Sequence, residues 1–333
     1  MSQNGSDPHK KNKRLVEFDL DRYLRASKRL DLSGLDWDDI PRYPLSDGDV
    51  MSMHYMMDIE THTVIYLRDL LGTRAAHDAH VTAFLSCWVY EELWHGEAFS
   101  DFLRAYGVEV PAEPKLPDGS TPMPTRPART KQFRERLGVG HQLSLLPTML
   151  GSMLTRDFVA IHMTWGAINE LTTLTGYYQL IRRSSHPVLH QMLRKVIQDE
   201  RRHFAFYRAQ AKARLTDRPR AGRLVRNALK AFWTPVGAGA KSEEEVDALA
   251  LYLFGDSPEG REGLREIDKT IGEIPGLEGL TLLEDYLDAA LARAAARPGW
   301  AGVAPQPPTS VVPLPGEVAG RWPKREQPAP LHR

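Results

Sequence analysis

One short pattern, written twice, constrains this chain more than anything else in it. Glu-x-x-His occurs in Trp88-Val89-Tyr90-Glu91-Glu92-Leu93-Trp94-His95-Gly96 and again in Asp199-Glu200-Arg201-Arg202-His203. Residues three apart on an α-helix project from one face, so each pattern stacks a carboxylate beside an imidazole as a two-donor claw for a metal ion. Each claw has a lone glutamate upstream, Glu60 lying 32 residues before Glu92 and Glu170 lying 30 before Glu200. The set Glu, Glu-x-x-His, Glu, Glu-x-x-His is the donor set of a di-iron carboxylate centre inside a four-helix bundle. The expected metal ligands are therefore Glu60, Glu92, His95, Glu170, Glu200 and His203.

Such a bundle needs four apolar stripes at helical spacing, and the chain supplies them. Met53, Met56, Glu60, Val64, Leu67 and Leu71 mark a first core helix that Gly72 ends. Phe84, Trp88, Glu92, His95, Phe99 and Leu103 mark a second, ending near Gly107. Six prolines between Val108 and Gly140 then break the periodicity, predicting a long crossover of the kind ferritin-like bundles carry. A helical stretch near Leu143–Leu154 leads to a third core helix with Met163, Gly166, Glu170, Thr173, Tyr177 and Leu180 on one face. Pro187 suits the opening of the fourth, which shows Leu189, Leu193, Val196, Glu200, His203 and Tyr207. Counting from each turn at about 1.5 Å per residue brings Glu170 level with Glu200, and Glu60 level with Glu92.

The expected fold is all-α: a ferritin-like four-helix bundle with a long crossover between core helices two and three and additional C-terminal helices. Residues 1–48 read as a flexible leader with a short helix, 49–256 as the bundle, 257–297 as helices packing on it, and 298–333 as a proline-rich tail. The segment Arg208–Lys230 is heavily basic, with Asp217 its only acid. Further helices are expected at Ser242–Phe254, Gly260–Ile271 and Thr281–Ala296.

Composition narrows the chemistry. Lysine plus arginine equals aspartate plus glutamate at 43 each, so whole-chain charge argues neither for nucleic acid nor for an anionic membrane as a partner. No apolar run approaches membrane-spanning length, and the basic N-terminus lacks the apolar core of a secretory signal. The single cysteine, Cys87, rules out an iron–sulfur or zinc–thiolate site and fits a cytoplasmic protein. Oxygen donors with one imidazole per metal suit iron or manganese better than structural zinc. Unpartnered carboxylates in a bundle core would be prohibitively costly, and two divalent cations remove that cost. Around the ligands, Asp199 reads as a hydrogen-bond partner for a ligand histidine or as an exposed helix carboxylate. Thr173 places a hydroxyl in an oxygen pocket or bonds its own backbone, and Trp88 carries electrons or fills core. His54, His62, His77 and His80 lack partners at ligand spacing and are expected to face solvent.

These residues resemble the soluble acyl-[acyl-carrier-protein] desaturases. That family shows W-x-x-E-E-x-x-H-G, matched by Trp88, Glu91, Glu92, His95 and Gly96, and D-E-x-x-H, matched by Asp199, Glu200 and His203. Its third-helix glutamate is followed by a threonine at the third place, matched by Glu170 and Thr173. The resemblance implies a di-iron enzyme that takes O2 and electrons from a ferredoxin and removes two hydrogens from an acyl chain on acyl carrier protein. It also implies a homodimer. The chain departs from the family where Trp94 replaces the arginine before the first ligand histidine, where Leu93 replaces a polar residue, and at Leu171-Thr172. These departures leave open hydroxylation or N-oxygenation by the same kind of centre, with a manganese–iron pair as the alternative metal content. A bacterioferritin-type iron store uses the same ligand pattern without the long crossover or the extra helices.

Overall fold

The computed structural model describes residues 18–110, 149–238, 240–255 and 257–297. Among these the chain is helical throughout, with no strand, as the periodicities require. Most of the expected crossover, the start of the helix expected at Leu143–Leu154, the extreme N-terminus and the proline-rich tail lie outside the described residues. Residues 149–154 are helical.

Four long helices build the core: α2 (Asp47–Leu71), α3 (Ala79–Tyr106), α4 (Phe158–Arg183) and α5 (Pro187–Leu215), preceded by a short α1 (Leu20–Ala26). They pack as two hairpins, α2 with α3 and α4 with α5, with α3 against α5 and α2 against α4 across the middle. Local chemistry sets the boundaries. Ser46 and Asp49 form a capping box that opens α2, and the Asp78 carboxylate accepts from the backbone N–H groups of His80 and Val81 to open α3. Gly107, at φ 93°, ends α3 in the left-handed conformation that a side chain would oppose.

The second hairpin turns on His186. Its Nδ1 accepts from Leu189 N at 3.2 Å, capping α5 ahead of Pro187, while its Nε2 lies 2.9 Å from the carbonyl of Ile40. That bond ties a 3-10 turn at Trp37–Arg42 to the bundle end. Earlier still, α1 packs on α3 and buries Tyr23 to 2% exposure.

After α5, Asp217 takes φ 59° in the bend that leads to α6 (Pro219–Phe232). A layer of α7 (Glu243–Ala250), a π turn (Leu251–Gly255), α8 (Pro258–Gly272) and α9 (Leu282–Ala296) covers the outside of α2 and α4. Buried Asp247 anchors this layer by accepting from Tyr286 and Arg293. No helix among the described residues is long and apolar enough to cross a membrane.

Candidate metal centre

The four core helices bring all six expected ligands together, each at most 6% exposed. Two overlapping groups form: Glu60, Glu92, His95 and Glu200, and Glu92, Glu170, Glu200 and His203, with one donor atom from each residue of a group within 4.8 Å of the others. Glu92 and Glu200 are the two carboxylates common to both groups, which spacing alone could not single out. Glu60 and His95 complete one position, and Glu170 and His203 the other.

The imidazoles are held by carboxylates that cross the bundle. His203 turns Nδ1 inward, 3.1 Å from Glu92 and within 3.7 Å of Glu170 and Glu200, and turns Nε2 outward, 2.8 Å from Glu91 Oε2. His95 likewise points Nδ1 at Glu92 (3.0 Å) and Glu200 (3.1 Å), with Nε2 3.3 Å from Asp199 Oδ2. The residue before each claw's glutamate therefore holds the other claw's histidine: Glu91 reaches from α3 to His203, and Asp199 from α5 to His95. This fixes which ring nitrogen faces a metal, as outer carboxylates do in metal sites generally. Arg202 joins the two, its Nη2 lying 3.0 Å from Glu91 and 2.6 Å from Asp199. In the first claw the matching place is Trp94, which instead lies under the Arg29 guanidinium, 4.0 Å away.

Electrostatics show what this core asks for. Burial, reinforced by the Glu92 and Glu200 carboxylates, raises Glu60 well above the usual carboxylate range, and burial does the same to Glu170. Burial works against charge on Glu92 too, but the two imidazoles and a hydrogen bond from Glu60 outweigh it and hold that carboxyl far down. Both histidines are pushed well up, the surrounding carboxylates overcoming the opposing effect of burial. The acids and bases neutralise one another only by sharing protons. Among the described residues, His203 Nδ1 and Glu200 Oε1 are buried with charged neighbours about 3.1 Å away but no hydrogen bond of good geometry. Orphaned atoms of two different types, aimed into one carboxylate-rich core without a thiolate, fit a pair of iron or manganese ions.

Over this core lies a cavity of about 470 Å³. Glu60, Glu92, Glu170 and Glu200 line its floor, Tyr66, Trp88, His162, Trp165 and Tyr207 its walls, and the Thr234–Gly237 segment with Ala240 its roof. The Tyr55 hydroxyl fastens that roof to α2 by donating to the Val236 carbonyl at 2.6 Å. Tyr177 donates to Glu60, fixing that ligand from α4. Gly166 is required where it stands, because a Cβ there would overlap the Tyr207 ring.

Of the three residues expected to serve around the ligands, Asp199 sits on His95, Thr173 lines the cavity one turn beyond Glu170, and Trp88 is 4% exposed in the wall. Trp88 stands edge-on to Tyr66 (5.9 Å) and Tyr207 (6.0 Å), with its indole N–H unpartnered among the described residues. His62, expected to face solvent, is half-buried and lines the cavity. Sequence reasoning missed Glu91 as a holder of His203, Arg202 as the link, and the Tyr66–His162 pair, whose hydroxyl and Nδ1 are 3.2 Å apart. Burial pushes His162 down to about 4. Its signal was present, since His162, Gly166, Asn169 and Thr173 share a stripe of α4.

The chain matches no family model and no curated protein. It overlays on solved R2-like ligand-binding oxidases. One is a variant with an anaerobically reconstituted Mn/Fe cofactor, at 14% identity over 88% of this chain and 97% of that one, with a TM-score of 0.47. Another, with an aerobically reconstituted Mn/Fe cofactor after a long soak, gives 15% identity, 88% and 96% coverage and a TM-score of 0.45.

Proposed function

We propose that this chain is an O2-dependent di-metal oxidoreductase of the acyl-[acyl-carrier-protein] desaturase kind, which introduces a double bond into a carrier-bound acyl chain. The observation that carries this reading is the pair of four-donor groups sharing Glu92 and Glu200 at the floor of a roofed cavity. Two iron ions, or a manganese–iron pair, held there would supply electrons to O2 and an oxidant strong enough for an unactivated C–H bond. Glu91 and Asp199 hold the outer nitrogens of His203 and His95 and so aim the inward ones at the positions the metals would take. Thr173, one turn beyond Glu170, lines the same cavity and would offer a hydroxyl there for proton transfer. Trp88 offers an oxidisable ring against the wall, one turn before Glu92.

Delivery of the substrate is supported by α6. Arg220, Arg223 and Lys230 are exposed on a helix that carries no acidic residue, and α6 runs directly into the roof. Such a face suits an acidic acyl carrier protein or a ferredoxin-type donor. Tyr90 and Leu93, 43% and 38% exposed on the outer side of α3, suit the homodimer the resemblance implies.

The test is to load the protein with ferrous iron without air, add acyl-carrier thioesters and then O2, and weigh the products. Loss of two mass units supports desaturation. A gain of sixteen reassigns the outcome to hydroxylation or oxygenation, and fewer than two metal ions per chain ends the reading. Elution as a large cage on size exclusion, with mineralised iron, would mark an iron store instead.

A further inference from the structure

The two metal positions are built from a repeated motif, and one side carries a contact the other lacks. On the His203 side the Tyr23 hydroxyl donates at 2.8 Å to Glu91 Oε2, the same oxygen that lies 2.8 Å from His203 Nε2. Arg202 takes the second oxygen, so Glu91 is held by three donors from three directions. Asp199, holding His95 at 3.3 Å, has only Arg202 besides among its described contacts. Tyr23 is well set for this. Its ring stands 5.0 Å from Phe84, 5.8 Å from Phe18 and 6.3 Å, edge-on, from the His203 ring. It belongs to α1, outside the four core helices, on a helix opened by the Asp19 cap.

We infer that Tyr23 is a positioning residue that makes the two metal positions unequal. By fixing Glu91 it fixes the ring of His203, and so the metal held by Glu170 and His203, while leaving the metal held by Glu60 and His95 untouched. The physical reason is geometric. A glutamate, with three free torsions, holds an imidazole only as firmly as its other bonds hold the carboxylate. Here α1 supplies that second constraint on one side alone. The inference rests on the di-metal reading above.

The experiment uses the full chain, loaded anaerobically with ⁵⁷Fe(II), and follows uptake by stepwise titration and the two ferrous sites by Mössbauer spectroscopy. Tyr23→Phe keeps the ring packing and removes only the hydroxyl. Affinity for one of the two irons is expected to fall about tenfold, the low end for loss of an outer-shell partner. One quadrupole doublet should broaden or shift while the other stays. Glu91→Gln should affect the same iron, and adding Tyr23→Phe to it should change that iron no further, since the two act in series. Tyr252→Phe, which removes a buried hydroxyl bonded to Asp49 far from the centre, controls for lost stability and should move neither doublet.

Unchanged affinities and doublets in Tyr23→Phe, equal change at both irons, or different irons answering to Tyr23→Phe and Glu91→Gln would each overturn the inference. If Tyr23→Phe does not fold, Glu91→Gln decides, because an equal effect on both irons there is fatal. A wild-type chain that binds fewer than two irons sinks the di-metal reading, and this inference with it. Two irons bound, with no site selectivity in the variants, sinks the inference alone.

Discussion

The α2–α3 and α4–α5 hairpins offer the same four-residue claw to the same cavity, yet they stand in different surroundings. Each lone glutamate meets its claw across a short turn, and each imidazole is gripped from the opposite hairpin. There the likeness ends. The residue before the histidine is Arg202 in the second claw, turned in to bind both outer carboxylates, and Trp94 in the first, turned out beneath Arg29. Glu60 is bonded by Tyr177, and Glu170 has no such phenol among the described residues. The comparison teaches that the repeat specifies the ligands and their spacing, while the neighbours, which do not repeat, decide how alike the two positions are.

The largest effect should come from attacking what the halves share. Glu92→Ala and Glu200→Ala each remove a carboxylate common to both positions, so metal content measured by elemental analysis should fall below one ion per chain. His95→Ala or His203→Ala should spare the opposite position and leave about one. If all four variants behaved alike, Glu92 and Glu200 would not be the carboxylates that the two positions share.

Next in size is packing against the α5 side. Gly166→Ala drives a methyl into the Tyr207 ring and should cost about 1–3 kcal/mol in thermal or denaturant unfolding. An unchanged melting temperature would show that Tyr207 can move aside.

The non-repeating neighbours come third. Arg202→Gln should loosen both outer carboxylates and weaken metal binding at both positions. Trp94→Ala should cost no more than about 1 kcal/mol, because it removes a half-buried ring that meets Arg29 and, edge-on, Tyr90 at the surface. Equal effects of the two would erase the asymmetry.

The smallest expected effect is a proton count. Carboxylates raise His95 and His203 well above the usual range, and burial raises Glu60 and Glu170, so all four groups favour their protonated forms more than they would in water. Metal must displace those protons, and uptake should weaken as pH falls and strengthen as it rises. Titration calorimetry in buffers of different ionisation enthalpy would reveal the release. Uptake independent of pH would mean that the donors are already deprotonated.

Much of the bundle was legible because helical periodicity is local. Glu60, Glu92, Glu170 and Glu200 sit on apolar stripes, and turn positions at Gly72 and Pro187 fix their levels by counting. The C-terminal helices lie close to their expected ranges for the same reason: Ser242 and Ser257 are side-chain caps next to apolar runs. Glu91 was harder to read. On its own helix it is merely the neighbour of a ligand, and its partners Tyr23, Arg202 and His203 lie 68 to 112 residues away.

What the sequence determined by itself is the helical class, the six candidate ligands and the pairing of each lone glutamate with a claw. These follow from a 3.6-residue repeat and a fixed rise, which act within one helix or across one short turn. Which carboxylates are shared, which outer carboxylate crosses to which imidazole, and where the cavity opens were decided by the tertiary structure. Those depend on how each helix is rotated about its axis when it packs, and that rotation is set by side chains distant in sequence filling one common core.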